Sequence, residues 1–142
     1  MDITAALELL QADEPIIVRG RTFEPKNIDP VALDTGETVF WVYSKDGNWL
    51  SVDPEGEEIL FFEDVEEELE PEDDMVVYQG MDFELSYEGV AIPKEIEGSA
   101  GYTIRDYENG KGGVVRLMED SATGDATVAH GFKVTEEELQ EA

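Results

Sequence analysis

A phrase that occurs twice in nearly the same form constrains the fold of this chain more than any other feature. Residues 16–24 read IIVRGRTFE and residues 76–84 read VVYQGMDFE, so that Gly20 aligns with Gly80 and each phrase ends in Phe-Glu. The β-branched and aromatic residues before each glycine favour a strand, and glycine favours a turn that needs positive φ. Each phrase therefore predicts a strand, a tight turn and a second strand.

The likeness continues along both halves of the chain. Residues 40–52 read FWVYSKDGNWLSV and residues 102–118 read YTIRDYENGKGGVVRLM, with Asp-Gly and Asn-Gly at equivalent points. These dipeptides are strong signals for hairpin turns. One more strand follows in each half, EILFF at 58–62 and TVAHGF at 127–132. The sequence thus predicts two repeated antiparallel β units of about four strands each.

Short helices are predicted at the ends of these units. Asp2 can cap an N-terminal helix whose apolar residues recur at i, i+3, i+4 and i+7 from Ile3. The segments FEDVEEEL and FKVTEEEL are each predicted to form an acidic helical turn, because each contains a capping-box pair. These pairs are Asp64 with Glu67, and Thr135 with Glu138.

Four short strands cannot cover both of their own faces, so the two units must bury their faces on each other. We therefore predict a mainly β fold in which the repeats pack as a pseudo-symmetric sandwich or as fused half-barrels around a shared core. In this interpretation residues 1–142 form a single domain. It consists of an N-terminal helix (1–12), a first β repeat (13–70) and a second β repeat (73–142).

The charge of the chain limits its partners. Nine Lys and Arg residues against 36 Asp and Glu residues give a net charge of −27. Such a surface repels phosphates and anionic lipids, so direct nucleic acid binding is excluded, and basic proteins or weakly held divalent cations are favoured. The first residues lack the pattern of a signal peptide, and the longest apolar run covers only residues 39–43. We expect a cytoplasmic protein with no membrane insertion.

Several of these segments together resemble a bacterial family known as domain of unknown function 4178. The resemblance rests on VVYQGMDFELSYEGVA, DYENG, RLMED and the late EEEL, together with FWVYSKDGNWLSV, and covers about Glu14 to Leu139. One departure is Val42 before Tyr43, where the family commonly has an acidic residue. The resemblance implies a mainly β fold, a bacterial or phage-like origin and genes near stress functions. It implies no known activity.

Residues typical of catalysis are scarce. The single histidine, His130, is flanked by Ala129 and Gly131 in a predicted strand, and there are no cysteines. No serine lies in a nucleophile elbow, and NGKGG at 109–113 lacks the P-loop spacing. We therefore expect no catalytic residues, no cofactor and no metal site. The candidate ligand cleft combines the repeated acids with two aromatic residues: Glu24, Glu84, Trp41 and Trp49.

The functional hypothesis that follows is a non-enzymatic accessory or protein-interaction module. Its candidate contact for a basic partner is an acidic segment between the repeats, made of Glu63, Glu66, Glu68, Glu70, Glu72, Asp73 and Asp74. Two alternatives stay open. One is an acidic mimic of nucleic acid that blocks a basic protein, and the other is a carboxylate-based small-ligand binder or enzyme with a cleft between the repeats.

Overall fold

A computed structural model describes residues 1–94 and 100–142, and its fold is mainly β with one N-terminal helix. The helix is α1 (Ile3–Gln11). The strands are β1 (Ile16–Val18), β2 (Arg21–Phe23), β3 (Pro25–Leu33), β4 (Thr38–Ser44), β5 (Trp49–Asp53), β6 (Glu58–Val65), β7 (Met75–Tyr78), β8 (Met81–Pro93), β9 (Tyr102–Glu108), β10 (Gly113–Asp120), β11 (Ala126–Val134) and β12 (Leu139–Glu141).

Eight of these strands form a closed antiparallel barrel in the order β3-β4-β5-β6-β11-β10-β9-β8. The first half of the chain supplies β3 to β6, and the second half supplies β8 to β11. Pairing of β6 with β11 joins the halves on one side, and pairing of β3 with β8 closes the barrel on the other. The sandwich that the sequence offered as one alternative is therefore wrong, because β3 pairs with β8 and the two repeats share one closed sheet.

The two repeated phrases take the same turn. Arg19 and Gly20 have φ values of 49° and 77°, and Gln79 and Gly80 have values of 51° and 76°. Positive φ at both central residues is the geometry of a type I′ hairpin, which matches the twist of the strands it joins. The predicted pair of hairpins is confirmed, although β2 ends at Phe23 while the equivalent strand β8 runs on without a break.

Alternation along the strands gives the barrel an inner and an outer core. The outer face of β4 to β6 is covered by α1 and by a small sheet in the order β12-β1-β2. The outer face of β9 to β11 is covered by the β7–β8 hairpin through Val76, Tyr78 and Phe83. Both coverings protect apolar residues such as Leu50 and Val115 that the strands turn away from the lumen.

The N-terminal helix follows the sequence prediction closely. The carboxylate of Asp2 accepts a hydrogen bond from the backbone N–H of Ala5 at 2.7 Å, which is an N-cap. The residues that face the core are those of the predicted stripe, Ile3, Ala6, Leu7 and Leu10. Among the residues that the structure describes, no helix is long and apolar enough to cross a membrane.

One of the two acidic helical turns is confirmed and the other is wrong. Glu136–Glu138 form a 3-10 helix, and the capping box of Thr135 with Glu138 is present. In the first half, by contrast, β6 continues to Val65 and residues 66–71 have no regular structure. Asp64 is paired opposite Ala129 in the barrel, so it is a strand residue and not the cap of a helix.

Candidate functional site

The lumen of the barrel contains a cavity of about 330 Å³, towards the end where the β5–β6 hairpin lies. Both halves of the chain contribute to its wall. Part of this wall is apolar because Val39, Leu60, Ile104 and Val114 occupy inward positions of four different strands. The remaining lining residues are Leu33, Thr35, Glu37, Trp41, Ser51, Asp53, Glu58, Ser86, Tyr87, Asp106, Glu108, Arg116 and Lys133.

A buried ion pair lies at the inner end of the cavity. Arg116 on β10 and Asp106 on β9 are direct neighbours in the ladder, and they are 4% and 7% exposed. The guanidinium donates from Nε to Oδ1 at 2.7 Å and from Nη2 to Oδ2 at 2.9 Å. It also lies over the rings of Phe62 and Trp49, at 4.9 and 5.7 Å from their centroids. The pair and the rings hold the guanidinium in one orientation.

Two N–H groups at this end are buried without a hydrogen-bond partner among the described residues. They are Nη1 of Arg116 and Nε1 of Trp41, whose side chain is 2% exposed. The second tryptophan differs, since Nε1 of Trp49 donates to Asp64 at 3.1 Å. A buried donor without an acceptor costs about 1–3 kcal/mol. Neither group can accept a hydrogen bond, so the inner end is suited to acceptor atoms. We call Arg116, Asp106 and Trp41 the floor of the cavity.

Charged residues surround the opposite end, which we call the rim: Glu37, Asp53, Glu58, Glu108 and Lys133. The ammonium of Lys133 lies 2.7 Å from Glu108 and 3.7 Å from Glu58. Its hydrogen bond to Glu108 is the main cause of a raised pKa of Lys133. Burial acts to raise the pKa of Glu108, but the hydrogen bonds from Lys133 and Ser86 prevail and lower it.

The carboxylates of Glu37 and Asp53 form a second acidic group at the rim. Repulsion by Asp53, a hydrogen bond between the two side chains and the charge of Glu55 all raise the pKa of Glu37. Burial raises the pKa of Glu58 in the same region, and Lys133 opposes this effect. Within the described part of the chain, neither Glu37 nor Asp53 has a cationic partner. A cation placed between them would relieve their repulsion.

Aromatic side chains fill the lumen beyond the floor. Trp49 lies 4.7 Å from Phe62, 5.9 Å from Trp41 and 6.0 Å from Tyr43 between ring centroids. Burial, followed by the charge of Asp29, raises the pKa of Tyr43 to about 12. Tyr43 is therefore a neutral phenol at physiological pH. This packing leaves the rim as the accessible end of the cavity.

The structure brings together only part of the predicted cleft. Trp41 lines the cavity and Trp49 packs against it, so the two aromatic residues do lie together. Glu24 and Glu84 are exposed and do not line the cavity, and Glu24 lies 3.7 Å from Lys45. The charged residues that do line the lumen were missed. Their signal in the sequence is a charged residue at an inward position of an otherwise apolar strand, as for Arg116 between Val114 and Met118.

The acidic segment from Glu63 to Asp74 starts at the end of a barrel strand and leaves the barrel after Val65. It begins in β6, passes through residues 66–71 and leads into β7, and all seven of its candidate contact residues are exposed. No ion pair to any of the seven occurs within the described residues. Its proposed contact with a basic partner stays a prediction.

The single histidine has a packing role. His130 points away from the lumen, and its ring lies 4.6 Å from Tyr78 and 6.1 Å from Phe83. Burial lowers the pKa of His130, and the charge of Glu63 opposes that effect. Among the described residues, no group of three side chains of the metal-binding types converges.

A second cavity, of about 370 Å³, lies between the small sheet and the outside of the barrel. Its lining includes Arg19, Arg21, Phe61 and Phe132. The guanidinium of Arg19 stacks on Phe132 at 3.6 Å and pairs with Glu138. Arg19 thus has partners, whereas Nη1 of Arg116 and Nε1 of Trp41 at the lumen floor have none among the described residues. The lumen is the stronger candidate site.

Comparison with known proteins finds no matching family model, no matching curated protein and no matching solved structure. The resemblance to domain of unknown function 4178 therefore stays a prediction, and the function has to be argued from the site itself.

Proposed function

We propose that this protein is a non-enzymatic binding protein that holds a small organic molecule in the lumen of its barrel. The observation that carries the proposal is the cavity of about 330 Å³, whose lining includes Arg116 and Trp41, each with a buried N–H group that has no acceptor among the described residues. Ligand pockets of this type combine an apolar wall with a few polar groups that fix orientation. The wall residues Val39, Leu60, Ile104 and Val114 supply the apolar part.

Binding is favoured over catalysis because the buried charged groups of the lumen, Asp106 and Arg116, are engaged with each other. Asp106 is engaged by two hydrogen bonds from Arg116, so it is poorly placed to act as a base or nucleophile. The single histidine, His130, lies on the outside of the barrel, and the chain contains no cysteine. The rigid floor is preorganised to hold a ligand, and preorganised sites bind without a large ordering cost.

The test is a fragment screen against the intact protein, read by ligand-observed NMR and tryptophan fluorescence. The variant Ser51→Phe places a ring in the cavity, since Ser51 is a lining residue on β5. The control Ser121→Phe makes the same change at an exposed turn outside the cavity. We expect fragments that bind the wild type and the control but not the Ser51 variant. Equal binding to all three folded proteins would contradict a lumen site.

The acidic segment supports a second candidate function, contact with a basic protein partner. Its carboxylates are exposed and unpaired within the described residues, and such patches act mainly on the association rate at low salt. Neutralising four of them should reduce capture of a basic partner at low salt and have less effect at high salt: Glu70, Glu72, Asp73 and Asp74. Neutralising four other exposed acids is the matched control, namely Glu14, Glu55, Glu119 and Asp125. If both sets of substitutions reduce capture of the partner equally, the effect comes from net charge and not from a contact at this segment.

A further inference from the structure

Resting on the proposed lumen function, we infer that the ligand is a small organic amine with a neutral hydrogen-bond acceptor at its other end. The acceptor enters first and lies at the floor, and the ammonium stays at the rim. The inference uses three features of the cavity: the donors of the floor, the charges of the rim and the distance between them.

The floor selects an uncharged acceptor. Arg116 Nη1 and Trp41 Nε1 are both donors, so the inner end of the ligand must offer a carbonyl, amide or hydroxyl oxygen. A carboxylate is disfavoured because the charge of Arg116 is already neutralised by Asp106 at 2.7 Å. An added anion would be desolvated beside a neutral pair and would face the acidic rim on its way in.

The rim selects a cation. The rim contains four carboxylates and one ammonium, and that ammonium is engaged by Glu108 and Glu58. Glu37 and Asp53 repel each other without a cation beside them among the described residues. An amine held between these two carboxylates gains charge-assisted hydrogen bonds and removes their repulsion.

The spacing sets the length of the ligand. Trp41 belongs to the floor and Glu37 to the rim, and Val39 of β4 is the lining residue between them. Two inward steps along an extended strand span about 13 Å. That distance accommodates a para-disubstituted benzene ring with a hydrogen bond at each end, and the apolar side chain of Val39 suits its face. The cavity volume of about 330 Å³ corresponds to about eleven molecules of liquid water, which is enough for such a molecule.

Four matched probes test this assignment by calorimetry. 4-(Aminomethyl)benzamide carries both groups. 4-Ethylbenzamide replaces the ammonium by a methyl group of similar size, and 4-isopropylbenzylamine replaces the amide by an apolar group of similar shape. 4-(Aminomethyl)benzoate changes the neutral acceptor to an anion. We expect the first probe to bind at least about tenfold more tightly than each of the others, which corresponds to about 1.4 kcal/mol.

The outcomes separate the two proposals. If 4-ethylbenzamide binds in the lumen as tightly as its aminomethyl analogue, the lumen site stands and the amine assignment is overturned. If 4-(aminomethyl)benzoate binds most tightly, the assignment of a neutral acceptor at the floor is overturned. If no probe binds at millimolar concentration and the fragment screen also finds no binder that Ser51→Phe abolishes, the lumen function itself fails.

A variant of the rim locates the ammonium. Glu37→Gln combined with Asp53→Asn removes both charges, while an amide at position 53 keeps the acceptor that Gly56 N–H uses at 2.9 Å. We expect this variant to bind the two benzamides with nearly equal affinity. The control combines Asp82→Asn with Glu84→Gln, which are exposed positions on β8 away from the cavity, and it should retain the preference. A rim variant that keeps the full preference would overturn the placement.

Discussion

The buried ion pair of the floor makes a quantitative prediction about stability. Replacing Arg116 by methionine keeps a long side chain over Phe62 but leaves the carboxylate of Asp106 buried without its partner. Asp106 is 7% exposed, and its two hydrogen bonds from the guanidinium are lost. Removing one partner of a buried pair costs about 3–5 kcal/mol, because the remaining charge is uncompensated. For a chain of this length, that cost corresponds to a melting temperature lower by about 10–15 °C.

Two companion variants separate charge from packing. Arg105→Met removes an exposed arginine on the neighbouring strand, 46% exposed and 3.0 Å from Glu88, and should cost no more than about 1 kcal/mol. The double variant Arg116→Met with Asp106→Leu removes both buried charges. It should recover most of the loss, because apolar replacement of a buried pair is often close to neutral.

The assay is urea unfolding followed by the fluorescence of Trp41 and Trp49, both of which are buried. Midpoints and slopes give the free energy of unfolding if the transition is two-state. A loss of less than about 1 kcal/mol in Arg116→Met would refute the interpretation of a desolvated pair. A double variant as unstable as the single one would mean that packing of the arginine, and not its charge, provides the stability.

Three further predictions concern packing, pH and salt. Gly131→Ala should be strongly destabilising, since a Cβ there would lie 1.6 Å from the carbonyl oxygen of Phe61. A melting temperature within 2 °C of the wild type, which corresponds to roughly half a kcal/mol, would contradict this close approach. Affinity for 4-(aminomethyl)benzamide should fall as the pH is lowered, starting above the ordinary glutamate pKa, because repulsion by Asp53 raises the pKa of Glu37 and protonation removes its negative charge. Calorimetry should show that Glu37→Gln makes this early fall smaller, and the part that remains is expected from Glu58, whose pKa is also raised. The melting temperature should rise between low and moderate NaCl, because salt screens the repulsion within a chain of net charge −27, and a flat or falling profile would indicate locally compensated charges.

Local features of this fold could be predicted from the sequence. The N-cap of Asp2, the buried stripe of α1, the paired turns at Gly20 and Gly80 and the second capping box all depend on short-range interactions. Such features are encoded within a few residues of each other. The hairpins and the helix cap could therefore be predicted without knowing any contact between distant strands.

The closure of the barrel could not be predicted in the same way. The pairing of Val31 with Pro93 joins strand ends far apart in the chain, and nothing local selects this pairing over a sandwich. The prediction of the first acidic helical turn was wrong for a related reason. The ladder that pairs Val65 with Val128 extends β6 through Asp64, and this pairing overrides the local capping signal.

Only part of the site could be predicted, because its residues come together through the same long-range strand pairing. Trp41 and Trp49 stood out as large aromatic residues, but the carboxylates proposed to join them, Glu24 and Glu84, face solvent. Those that line the lumen were hidden among many acids. What distinguishes them from the other acids is their inward position beside apolar residues, and this position is defined only when the barrel is closed.

The central claim, a ligand site in the lumen, is tested most directly by the indole N–H signals of the two tryptophans in a ¹⁵N-labelled protein. Nε1 of Trp49 already donates to Asp64, whereas Nε1 of Trp41 has no acceptor among the described residues. Titration with 4-(aminomethyl)benzamide should shift the Trp41 signal downfield in a saturable way and leave the hydrogen bond of Trp49 intact. Assignment follows from the variants Trp41→Phe and Trp49→Phe. A Trp41 signal that stays in place, while the probe shifts signals only at the outer surface, would contradict a ligand site in the lumen.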